Sequence, residues 1–255
     1  MMRRSLVLGF VATFTVASVA LAATGAKAPH ATLGQAVYRT THAPSMRYSM
    51  TIAVTRRNHP AVQLRIHGTR SAESLFIHVK AFSTVLGGGT ALPGPQQSVL
   101  LDGPFLYEGS PNGVAIAGKI RWLRFPVARV GRTSKAITTM HNLSPAPVLR
   151  LLDEWSKVRT RAPHGVFHGK VVYDDPIVLT ALSGMTGGIE FRDVAFTARI
   201  GDDGYVHTIS VTGTTADGSR TLLVKARMFG FGRPVRVAIP GEGTFVDQKT
   251  IALAE

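Results

Sequence analysis

FRDVAFTARIGDDGYVHTISVTGTTADGSRTLLVKARMFGFGRPVRVAIP, residues 191–240, reads as three strands and two tight turns closed by a Gly-Phe-Gly-Arg-Pro corner. Val194, Phe196, Ala198 and Ile200 alternate with Ala195, Thr197 and Arg199, the period-two pattern of a half-buried strand. Gly201-Asp202-Asp203-Gly204 is a compact turn signal. Tyr205–Gly213 alternates again, with His207, Ile209 and Val211 on one face. Ala216-Asp217-Gly218-Ser219 turns the chain a second time, and Leu222, Val224, Ala226 and Met228 give the third apolar face.

Turn centres fix the expected register. A first turn centred on Asp202-Asp203 sets Phe196 against Ile209 and Val194 against Val211. A second centred on Asp217-Gly218 sets Val211 against Val224 and Ile209 against Ala226. Both put the same face of the middle strand against apolar partners, and a one-residue slip would invert it. One apolar and one polar face is the pattern of an antiparallel meander.

The same alternation recurs upstream. Met46, Tyr48, Met50, Ile52 and Val54 mark one strand, and Val62, Leu64 and Ile66 mark the next. A hairpin centred on Asn58 pairs Val54 with Val62 and Ile52 with Leu64. A third strand runs from Leu75 to Phe82. A turn at Ser71-Ala72 sets Ile66 against Val79, Leu64 against Ala81, His67 against His78 and Arg65 against Lys80. The outer face of this ribbon is basic, and two facing cations are unfavourable unless an anion lies across them.

Gly87-Gly88-Gly89 and Pro93-Gly94-Pro95 read as a loop, either a plain connector or a flap at a cavity mouth. A phosphate cradle would need a helix after it, and strand follows instead. Short strands follow at Val99–Leu101, Phe105–Tyr107 and Lys119–Phe125, with Trp122 and Phe125 as anchors of the apolar face. Ser134–His141 reads as a short helix, and Ser144 caps a second over Pro145–Lys157. Val166–Tyr173 is a strand. Asp174 or Asp175 caps a third helix over Pro176–Ser183. Strands, then helices with one strand among them, then strands again argue for an α+β fold with an extended antiparallel sheet.

The chain has 255 residues, 45% of them apolar and 17% charged, the composition of a globular protein. It has no cysteine, which excludes disulfides, thiolate metal sites, a cysteine nucleophile and a lipid-modified cysteine. Met1-Met2-Arg3-Arg4, an apolar run from Leu6 to Val19 and Ala20-Leu21-Ala22 have the form of a signal peptide over residues 1–22. Ala26-Lys27-Ala28 offers a second cleavage site, and the alternative is an uncleaved anchor. Residues 23–45 follow as a tether or short helix, and 46–255 as one domain. The net charge is +14; removing Arg3 and Arg4, with no acid in that segment, leaves +12. On an exported protein such charge points to anionic membrane or envelope surfaces rather than nucleic acid, or simply to solubility.

The order of motifs resembles the LolA-like superfamily, in particular the LppX/LprG-type envelope lipid carriers of actinobacteria. The likeness is carried by Asp102-Gly103 before Tyr107, Gly118-Lys119-Ile120-Arg121-Trp122, Pro147-Val148-Leu149-Arg150-Leu151-Leu152, Gly169-Lys170-Val171-Val172-Tyr173, and Phe229-Gly230-Phe231-Gly232-Arg233-Pro234-Val235 through Ile239-Pro240. The resemblance implies a strongly curved sheet, a half-barrel, with two or three helices over its concave face and an apolar cavity between them. Met50, Ile52, Val54, Leu64, Ile66, Ile77, Val79, Phe196, Ile209, Val211, Val224 and Met228 would line that cavity. Leu149, Leu152, Trp155, Leu179 and Leu182 would cover it. The alternative is a dry, packed core. Carriers of this type usually carry a lipidated cysteine, absent here, so the expected location is the periplasm, the envelope or the medium without a lipid anchor.

Other chemistry is thin. His67 and His78 are two ligands where a structural zinc needs four. Asp174-Asp175, Asp202-Asp203 and Asp153-Glu154 read as cap, turn and helix surface, and no nucleophile, metal or phosphate motif is present. The sequence therefore predicts no catalytic residue, no metal and no cofactor. It predicts a carrier of lipid, glycolipid or lipid-linked cargo, with Arg65, Lys80, Arg121, Arg124 and Arg227 near anionic headgroups. The alternative is an envelope sensor or protein-binding domain of the same fold without lipid.

Overall fold

The computed structural model describes residues 32–56, 61–83, 92–130, 135–154, 156–162, 165–171, 189 and 191–247. Two meanders meet in the middle of one sheet. The first comprises β1 (Met46–Arg56), β2 (Val62–Arg70), β3 (Ser74–Ser83), β4 (Leu92–Asp102), β5 (Phe105–Gly109) and β6 (Trp122–Pro126). The second comprises β7 (Ser156–Ala162), β8 (Val166–Val171), β9 (Arg192–Ile200), β10 (Val206–Thr214) and β11 (Arg220–Phe229). β1 pairs with β11, so these strands form one antiparallel run, 6-5-4-3-2-1-11-10-9-8-7, curved but not closed. A short β12 (Phe245–Asp247) adds to β6 in parallel.

This order dictates where the helices go. The chain leaves the sheet at β6, near one edge, and re-enters at β7, the other edge. The connection carries α2 (Val127–Val130), α3 (Lys135–Asn142) and α4 (Ala146–Glu154). It has to cross a face of the sheet, and α3 and α4 turn Ile137, Met140, Val148, Leu149 and Leu152 into the same core as the strands. The N-terminal α1 (Leu33–Thr41) packs against α4 and adds Leu33, Ala36 and Val37. A capping box starts α1: the Thr32 side chain accepts from the Gln35 N–H, and the Gln35 side chain accepts from the Thr32 N–H. Ser144 supports the start of α4, its hydroxyl accepting from the Ala146 N–H at 3.3 Å.

The β1–β2 and β2–β3 registers agree with the turn arithmetic, including His67 opposite His78 and Arg65 opposite Lys80. So does β10–β11. The β9–β10 register differs by two: Ile209 faces Ala198 and Val211 faces Phe196. The cause is a wider turn and a bulge at His207, between Val206 and Thr208. An even shift leaves the same residues on the inner face, but Val206, not His207, is buried there.

Other expectations need correction. Pro93-Gly94-Pro95 lies within β4, not in a loop. Proline is tolerated because β5 reaches only Val99–Asp102, and Gly94-Pro95 sits at a register irregularity. The α4 helix ends at Glu154, and β7 begins at Ser156, where the helix was expected to continue. β6 begins at Trp122 rather than Lys119. Phe125 joins the core, whereas Trp122 lies over Gly109 on the opposite face, because residues three apart on a strand point to opposite sides. The expected helix over 176–183 and the triple glycine lie outside the described residues.

Candidate functional site

The inner face of the sheet is one apolar surface. Met50, Ile52, Ile66, Ile77, Phe196, Ile209, Val211, Val224 and Met228 are buried in a single cluster with Leu149 and Leu152. Val54, Leu64 and Val79 are partly buried against it. Trp155, Leu179 and Leu182 lie outside the described residues. Fourteen of the seventeen residues expected around a cavity thus lie in or against one apolar core, twelve from strands and two from α4.

Tyr48 interrupts this surface and was not among those residues. It sits on β1 between Met46 and Met50, 2% exposed. Its ring lies across Gly68 on β2, its cross-strand partner: a Cβ built on Gly68 would stand 2.0 Å from Tyr48 Cζ. Among the described residues the buried Tyr48 hydroxyl has no hydrogen-bond partner. Burial pushes the phenol well above its ordinary range, and the nearby positive charge of Arg70 offsets part of that. The signal was available in the sequence, because the hairpin centre that pairs Ile52 with Leu64 also pairs Tyr48 with Gly68. A bulky ring facing a glycine is the arrangement in which an aromatic covers the missing side chain.

Arg70, two residues along β2, is the cation of this region. Its Nη2 donates to the carbonyls of Thr40, Thr41 and Ala43 at 3.3, 2.9 and 3.0 Å. It thus closes the C-terminal end of α1, where a cation is favoured. Burial lowers its pKa, and the Tyr48 phenol acts in the opposite sense.

The basic residues expected near headgroups lie elsewhere. Arg65, Lys80 and Arg227 are on the outer face of the sheet. Arg121 lies in the exposed approach to β6. Arg124 is ion-paired with Asp247 at 2.6 Å and lies over the rings of Phe105 and Phe245. The His67–His78 pair is on the outer face too, with His78 Nδ1 2.8 Å from Ser98 Oγ. Among the described residues no three acidic or histidine side chains are grouped to hold a metal ion.

Two open clefts are also present. One, about 380 Å3, is bounded by Arg56, Ile189, Asp217 and Arg220 at the end of the sheet. The other, about 500 Å3, is bounded by Lys80, Gly94, Pro95, Gln96 and Asn112.

No protein-family model matches the sequence, and no curated protein matches it. Among solved structures, the chain is similar to a LolA superfamily protein from Nitrosomonas europaea at 9% identity, over 80% of this chain and 93% of that one, with a TM-score of 0.26. It is similar to a DUF1329 family protein from Desulfovibrio piger at 6% identity, over 81% and 92%, with a TM-score of 0.24. A third likeness, to the dehydratase domain from the terminal module of the rifamycin polyketide synthase, has 7% identity over 72% and 75% and a TM-score of 0.17. Superpositions this loose carry no inference about what the chain binds.

Proposed function

We propose that this protein is an exported, non-catalytic carrier that holds the acyl chains of a lipid or lipid-linked molecule between the inner face of the sheet and the helices. The observation that carries the reading is the Tyr48 hydroxyl, buried in the apolar core with no hydrogen-bond partner among the described residues. A buried hydroxyl with no partner costs about 1–3 kcal/mol. A ligand ester or carboxyl oxygen that accepts from Tyr48 would remove that cost. The apolar residues around it would take the chains, each buried methylene contributing about 0.8 kcal/mol. The signal-peptide form of residues 1–22 and the motif order shared with envelope lipid carriers support the same reading.

Native mass spectrometry of the protein purified from its host envelope, followed by solvent extraction, tests this. A discrete mass excess that extracts as lipid is expected. A bare mass, unchanged after incubation with host lipids, would overturn the carrier reading in favour of a protein-binding domain.

A further inference from the structure

The outer face of the sheet has a charge pattern of its own. Strands β10, β11, β1, β2 and β3 are adjacent and contain no Asp or Glu. Their outward positions carry Arg47, Arg65, Lys80, Lys225 and Arg227, with His67 and His78 among them. Register places these in rows. Lys225 lies opposite Thr51, which lies opposite Arg65, which lies opposite Lys80. Arg227 lies opposite Ser49, followed by His67 and His78. At about 4.8 Å between strands, the Lys225–Lys80 row spans roughly 15 Å. This spreads the cations across several strands rather than around one point.

An exposed apolar element borders this face. Between β5 and β6 the chain makes a 3-10 turn at Pro111–Gly113 and continues through Val114 and Ile116, which are 65% and 49% exposed. Lys119 and Arg121 follow, both exposed. The base of this loop is tied to β4, where Asn112 Oδ1 accepts from the Gln96 N–H at 3.0 Å. Asn112, at its base, lines one cleft with Lys80 and Gln96, so the loop begins beside the edge of the basic rows. Phe229, 41% exposed, stands on the outer face opposite Arg47.

We infer that this face docks on an anionic lipid bilayer, with the basic rows at the headgroups and the Val114–Ile116 loop entering the interface. Cations beside exposed aliphatic and aromatic groups, with no carboxylate in the five strands, match the negative surface and apolar boundary of such a membrane. The inference does not depend on what occupies the inner face.

Cosedimentation of the purified protein with phosphatidylglycerol–phosphatidylcholine vesicles, against phosphatidylcholine alone, is the test. Binding to the anionic vesicles only is expected, weakening as salt is raised. Lys225→Gln with Arg227→Gln should lower partition by roughly twenty-five-fold, taking about fivefold for each cation near an anionic surface. Val114→Asp with Ile116→Asp should weaken binding while leaving its salt dependence in place. The salt titration of the unsubstituted protein needs no variant to fold. Equal binding to neutral vesicles, no vesicle binding, or binding indifferent to salt overturns the inference. Retention on a soluble polyanion such as heparin without vesicle binding overturns it as well, and assigns the face to a soluble polyanion.

Discussion

The ring of Tyr48 occupies the space that a side chain at position 68 would fill, with Tyr48 Cζ 2.0 Å from an ideal Cβ on Gly68. Gly68→Ala should therefore displace the ring, at a cost of about 1–3 kcal/mol for overpacking. Urea unfolding measures it. Pairing Gly68→Ala with Tyr48→Leu should recover part of the loss, whereas additive effects would show that the two residues do not share the space.

Tyr48→Phe separates ring from hydroxyl. The ligand-free protein should keep its stability or gain about 1–3 kcal/mol, because an unpartnered buried group is removed. Lipid retention should fall. The pH dependence has a definite sign. The folded pKa of Tyr48 is raised above its ordinary value of 10.0, chiefly by burial. Its contribution is complete below pH 10.0 and is lost as pH rises toward the folded pKa. Tyr48 should thus resist phenolate formation, followed in the near ultraviolet, until the protein unfolds in alkali. That alkaline loss should be smaller in Tyr48→Phe.

Thr40 joins α1 to β10. Its hydroxyl donates to the Ala36 carbonyl at 2.7 Å and accepts from the Val206 N–H at 2.8 Å, both buried. Thr40→Val keeps the shape but strands the Val206 N–H, and should destabilise by about 1–3 kcal/mol. Hydrogen exchange should show the Val206 amide losing protection before the centre of β10.

Arg124 and Asp247 hold β12 to β6. The Arg124 hydrogen bond, with Coulombic attraction to the same guanidinium, holds the Asp247 carboxyl below its usual range. The folded pKa is depressed, so this contribution is present above the ordinary carboxylate range and lost as pH falls through the folded value. Asp247→Asn should speed exchange of the β12 amides at neutral pH with little effect on the central strands. High salt should produce a milder version of the same change.

The sequence by itself determined most strands, the faces of those it read, and three of the four registers that could be counted around a turn, because side-chain alternation and turn chemistry are local and a slip exposes a whole apolar set. Val54 opposite Val62 and Val211 opposite Val224 followed from counting around a turn. Alternation also put twelve strand residues on one face of the sheet, and counting would have exposed the Tyr48–Gly68 pair. It failed at His207, where a bulge adds a residue that alternation does not announce. The end of α4 and the start of β7 were equally hidden, since a short amphipathic run gives no stop signal there. Only the tertiary structure decided that β1 pairs with β11, because that contact joins segments far apart in the chain with no turn between them to count. That one pairing sets β6 and β7 toward opposite edges, obliges the helices to cross the inner face, and places Arg65, Lys80 and Arg227 together on the other side.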